Sequence, residues 1–256
     1  MAVGASRMFG IRLPLNFNSP YQATGIGDFW RRWHLTLSRF LRDYLYITLG
    51  GNRRGETRRL VNLMATMVLG GLWHGAGWGF LHGLFLIVNH MWRKIFGRPS
   101  DSPVLRTFSR LFTIFVVMLA WVPFRAQSID GALAIYTGMM NLPLDWQGGL
   151  GVLGFLGFTF TGPAFGLGNI EALAWLVFWL LVVWQVPNTQ QLMAQYAPAY
   201  NYDQETMMRD PLPWLMRGPR AMFWRPGWRW GIVIGLMFAI SMLNLNRVSE
   251  FLYYQF

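Results

Sequence analysis

The chain has 256 residues, of which 54% are apolar and 13% charged, where soluble domains carry about 25% charged residues. Its formal charge is +11 and it contains no cysteine, which excludes disulfides, thiolate zinc sites and thiol catalysis. The basic residues recur between apolar runs instead of forming one stripe, so nucleic acid is not an expected partner.

The 14 tryptophans crowd the ends of the apolar runs, as aromatic belts do at membrane interfaces. Mean hydropathy is only +0.29, so several segments are expected to lie in the interface or to re-enter without spanning. Short basic loops carry Arg53, Arg54, Arg58 and Arg59, then Arg93, Lys94 and Arg98, and later Arg217, Arg220, Arg225 and Arg229. That is the positive-inside pattern, and it favours anionic headgroups.

Residues 1–7 read as the tail of a helix that began earlier, and no secretory signal is recognisable. Residues 14–27 form a Pro/Asn/Gly/Ser loop. Asp28 is then a plausible N-cap for a helix running to about Ile47. On that helix Trp30, Trp33, Leu37, Leu41 and Tyr44 share one face, while Arg32, Thr36, Arg39 and Asp43 line the other. A basic amphipathic helix with tryptophan on its apolar side lies along a membrane surface, and His34 falls on the inward side.

A turn at Gly50-Gly51-Asn52 leads to an apolar run over 60–73, too short alone for the roughly 20 residues of a full span. Its end at Gly70-Gly71 predicts a helix that dips in and stops, which is tolerated only against protein or a water-filled cavity. Helices are expected over 80–96 and 105–124, with a short amphipathic one over 129–140. Residues 148–168 are glycine-rich and read as short interfacial pieces. Spans at 172–186 and 228–243 flank a polar loop with a short helix near 188–196. The fold class is therefore all-α, a polytopic membrane protein with interfacial and re-entrant helices, organised as one domain over 1–256.

The segment Gly70-Gly71-Leu72-Trp73-His74-Gly75-Ala76-Gly77-Trp78 ends an apolar run in an imidazole ringed by glycine and tryptophan. An ionisable group in such sequence marks a functional site by default. Histidine suits the transfer of a proton from a hydroxyl near neutrality, and the surrounding glycines let a slender donor approach the backbone. A bland alternative is a histidine satisfying a carbonyl at a helix break. His34 either orients a substrate beside His74 or points to headgroups. His82 and His90 follow His74 by 8 and 16 residues, a spacing that drifts off one helical face, so no metal site is expected. Asn62 can hydrogen-bond across helices, and its alternative use is structural. Trp73, Asn62 and Trp33 are the candidate substrate-contacting side chains.

The strings Asp28-Phe29-Trp30-Arg31-Arg32-Trp33-His34, Leu41-Arg42-Asp43-Tyr44-Leu45-Tyr46-Ile47, Gly50-Gly51-Asn52-Arg53 and Gly71-Leu72-Trp73-His74-Gly75 resemble the membrane-bound O-acyltransferase (MBOAT) family. The resemblance is to the bacterial branch that includes the alginate O-acetyltransferase membrane subunit, and it falls on the C-terminal half of its members. It implies that His74 is the catalytic histidine and that His34 is the second motif position, occupied by Asn in many eukaryotic members. It further implies a tunnel through the membrane, with no bound cofactor, between a cytoplasmic acyl thioester such as acetyl-CoA and a polysaccharide hydroxyl on the other side. Membrane lipids and periplasmic acetyltransferase proteins are the implied partners, and the bacterial inner membrane the implied location. The stretch from His74 to His82 is shorter than the family's spacing, which leaves His82 without an inherited role. A competing reading is a non-catalytic or truncated membrane scaffold for periplasmic acetylation partners.

Overall fold

The computed structural model describes residues 2–73, 79–97, 102–126, 128–140, 169–200 and 223–243. These form helices joined by turns, with a β-bridge between Pro14 and Tyr200 but no strand among the described residues. The contacts divide the chain into two compact units, Met1–Met139 with Ala197–Arg209, and Met140–Tyr196 with Asp210–Phe256.

The first unit begins with α1 (Ala2–Met8), a loop, and α2 (Ile26–Trp30). The single helix expected over 28–47 is instead broken. After α2 the chain turns, and α3 (Leu35–Phe40) starts afresh before widening into a π-helix over Leu41–Tyr46. Asp28 lies inside α2 and does not cap it; Gly25 holds that position. The break comes from a residue twenty positions away in sequence. Asn16 accepts the backbone N–H of Thr36 at 3.2 Å and its hydroxyl at 2.9 Å through Oδ1, and the N–H of Leu35 at 2.8 Å through its carbonyl. Those bonds satisfy donors that a continuous helix would have spent on itself.

One consequence overturns the expected polar face. Arg32 is nearly enclosed, its Nε 3.1 Å from the equally enclosed carboxylate of Asp28, which also accepts from the Thr24 N–H. On the π-helix, exposed Asp43 behaves as expected of a surface charge. Its bond to the Arg42 guanidinium holds its carboxyl below the ordinary carboxylate range.

The next two helices, α4 (Gly55–Trp73) and α5 (Gly79–Phe96), pack against each other. The 19 residues of α4 span about 28 Å, longer than the apolar run because the basic turn over 55–59 joins the helix. Gly70 and Gly71 stay helical instead of ending it. They are buried, and a Cβ on Gly70 would press on Leu41 at 3.0 Å. Across the crossing, a Cβ on Gly79 would collide with the Met67 carbonyl, and one on Gly83 would meet Met64 Sδ at 2.6 Å. Small residues four apart let two backbones approach closely, a packing mode suited to membranes.

Helix α6 (Pro103–Arg125) starts with proline at its first position, where the missing N–H costs nothing. Its stretch Pro103–Phe124 is the one helix among the described residues long and apolar enough to cross a membrane, by length and composition. The core of the unit joins Ala23, Ile26 and Phe29 to Leu86 of α5 and Val117 of α6. Helix α7 (Ile129–Met140) follows, tied back by Tyr136 donating to the Leu119 carbonyl at 2.7 Å.

The second unit holds α8 (Asn169–Gln185), the single turn α9 (Thr189–Leu192), and α10 (Trp228–Leu243). Asn188 and Gln191 cap α9 reciprocally, and the Trp224 N–H donates to Leu192. Helix α10 buries no side chain although it is apolar on every face, the composition of a helix whose solvent is lipid or other protein.

Candidate active site

His34 occupies the break between α2 and α3. Its backbone has φ 48° and ψ 55°, a left-handed conformation in which histidine is enriched over most non-glycine residues. That geometry turns the ring back over the first turn of α3, where Nδ1 accepts the Leu37 N–H at 3.4 Å. An Nδ1 that accepts is unprotonated, so the proton of the neutral ring sits on Nε2. The ring is thus set up as a hydrogen-bond donor at Nε2. Leu35, beside it, packs on Leu15 and Ala199, and Ser38 ties α3 to the carbonyls of Trp30 and Trp33.

Aromatic rings surround this break. Trp33 meets Phe17 edge-on at 4.9 Å, stacks on Phe29 at 5.5 Å and contacts Trp121 of α6 at 5.2 Å. Phe17 also lies 6.1 Å from the His34 ring. Phe29 is 2% exposed and anchors the group. Trp30 continues the cluster to α5, crossing the His82 ring at 5.2 Å and 84°. His82 is 5% exposed, and its Nδ1 and the Trp30 Nε1 are buried without hydrogen-bond partners among the described residues.

The remaining candidates fall in different places. Asn62 is 1% exposed, and its amide donates to the Gly51 carbonyl at 2.9 Å, while Thr66 donates to its backbone carbonyl. It therefore anchors the Gly50-Gly51 turn to α4. Trp73 closes α4 and is 71% exposed. His74 belongs to the segment 74–78, outside the described residues. Gly79, the first described residue after that segment, lies against Met67 and Gly71 of α4. His82 stands one turn into α5, so the aromatic cluster around His34 reaches the end of α5 that the segment joins.

Several participants were not recognisable in the sequence as site residues. Asn16, Phe17 and Phe29 lie in the loop or on α2, and Trp121 in an apolar helix. The only local signal for Asn16 was an asparagine in a loop, a residue type that readily bonds backbone groups.

Comparison with known proteins extends this picture. Residues 1–129 match the model of MBOAT, the membrane-bound O-acyltransferase family. The chain is 48% identical to the peptidoglycan O-acetyltransferase of Helicobacter pylori over 147 residues, 56% of this chain and 28% of that protein. It is 34% identical to the probable alginate O-acetylase of Pseudomonas aeruginosa over all of this chain and 52% of that protein. A teichoic acid D-alanyltransferase of Streptococcus thermophilus is 33% identical over 36% of this chain and 25% of its own length. The chain thus spans about half or less of the length of these relatives. The matched region contains both His34 and His74, and the chain belongs to the membrane-bound O-acyltransferase family.

Proposed function

We propose that this chain carries the reaction centre of an O-acyltransferase that moves an acetyl group from a cytoplasmic acyl thioester, such as acetyl-CoA, towards a polysaccharide hydroxyl outside the inner membrane. His74 is the general base. The acceptor oxygen attacks the thioester carbonyl carbon as its proton passes to His74. The tetrahedral intermediate collapses, the carbon–sulfur bond breaks, and the thiolate leaves with the proton that His74 took. An ester and a free thiol result, with no redox partner and no metal required. His34 donates from Nε2 to the carbonyl oxygen as charge develops there, the kind of preorganised donor that stabilises such an intermediate.

The observation that carries this reading is His34 itself. A side-chain bond to its own helix selects the tautomer, the left-handed backbone at the helix break turns the ring over that first turn, and Phe17 lies 6.1 Å from the half-buried ring. The family match over His34 and His74 supports the pairing. Trp33 contributes a wall and Trp73 neighbours the base; Asn62 serves the fold. The names of the relatives favour alginate or peptidoglycan as acceptor, and the proposal has periplasmic acetyltransferases complete the delivery.

A second reading is a non-catalytic scaffold for those periplasmic proteins. One experiment separates them. This chain and a form extended upstream are expressed in a strain lacking its own acetylase, and ester acetate on the polymer is measured with and without His74→Ala. The enzyme reading expects acetate in at least one form and its loss on substitution. Acetate that persists after His74→Ala contradicts it and leaves the scaffold.

A further inference from the structure

Helices α5 and α6 and the turn at Thr24 and Gly25 line a cavity of about 760 Å3, within the range of about 300–1,000 Å3 typical of small-molecule sites. Its walls are apolar: Phe85, Val88 and Trp92 of α5 face Leu105, Phe108 and Phe112 of α6. At Gly25 the lining becomes polar. Arg93 Nη2 and Asn89 Nδ2 both lie close against Gly25, 3.0 and 3.2 Å from where a Cβ on it would sit, so the two donors are neighbours in the cavity lining. The Asn89 oxygen is already used by the Gly27 N–H, so the amide presents its donor end beside the guanidinium.

Arg93 is partly buried, yet its guanidinium makes no hydrogen bond or ion pair among the described residues. A half-enclosed cation against aromatic walls remains costly until an anion meets it. Two neighbouring donors in one lining fit two oxygens of one anionic group. The hydrocarbon-lined remainder fits a long apolar chain, which an acetyl group would leave unfilled.

The position agrees with that chemistry. Arg93 lies 14 residues beyond Gly79, about 21 Å along the helix, so the polar end of the cavity is at the far end of α5 from Gly79 and its apolar wall extends back to Phe85. Arg93 and Lys94 close the helix, where basic residues meet headgroups.

We propose that this cavity binds an anionic glycerophospholipid, its phosphate on Arg93 and Asn89 and one acyl chain between α5 and α6. The proposal does not depend on the acyl-transfer reading, and its test does not measure transfer.

The test is native mass spectrometry of the full chain purified in mild detergent and equilibrated with equimolar phosphatidylglycerol and phosphatidylcholine. The wild type is expected to retain one phosphatidylglycerol in preference to phosphatidylcholine. Arg93→Gln should lower that preference about five-fold, the worth of one basic residue near an anionic surface, and Arg93→Lys should restore most of it. Val88→Trp, which fills the apolar wall, should reduce retention of both lipids. Helix content by circular dichroism confirms that each variant is folded. Equal retention of the two lipids by the wild type overturns the proposal. So does unchanged retention in both Arg93→Gln and Val88→Trp, the result expected if other protein covers the cavity.

Discussion

Residues 16–40 and the α4–α5 hairpin hold their histidines by opposite means. In the first, polar bonds do the holding: Asn16 bridges to Leu35 and Thr36, Ser38 to Trp30 and Trp33, and His34 to Leu37. In the second, the absence of side chains does it: Gly79 and Gly83 bring α5 onto Met67 and Met64, and His82 is enclosed without a partner at Nδ1. A bonded imidazole has a selected tautomer and a direction. An enclosed one whose Nδ1 has no partner among the described residues has no tautomer selected for it, and the proposed role is accordingly given to His34.

This contrast can be broken at several points. The largest effect is expected from His34→Gly. Glycine accepts the left-handed backbone and costs only a few tenths of a kcal/mol as a cap, so thermal stability should hold. Transfer should fall by about 100- to 1,000-fold, the usual cost of losing one oxyanion donor. A melting temperature that falls with the activity would make the ring structural. Gly79→Ala comes next, because its methyl meets the Met67 backbone, which cannot move aside alone. A loss of about 1–3 kcal/mol is expected, read as a lowered melting temperature in detergent; a wild-type value would mean the crossing is loose. Asn62→Ala should cost about 1–2 kcal/mol by orphaning the Gly51 carbonyl while the rate per folded molecule stays unchanged. A selective loss of rate would return Asn62 to the substrate.

Much of this was legible in the sequence. Helix α6 and the short α9 follow from apolar runs bounded by proline, arginine and capping residues. The motif around His34 and the run ending at His74 pointed to the family. The break at His34 was not legible, because Trp30, Trp33, Leu37, Leu41 and Tyr44 keep helical spacing straight through it. Periodicity registers which residues are apolar, and not that Asn16 captures the donors of the next turn. The same blindness put Arg32 on a solvated face, although Asp28 pairs with it inside. The start of α4 was hidden because its first turns are charged. The cavity beside Arg93 depends on two helices and a distant turn, and nothing local announces it.

The division of labour between the two motif histidines is tested most directly by the pH dependence of transfer in the His34→Asn variant. Asparagine keeps an N–H donor but has no titrating ring. If His74 alone is the base, the variant turns over more slowly while its rate still rises with pH along the wild-type curve. Loss of that rise would make His34 the proton acceptor and contradict the assignment.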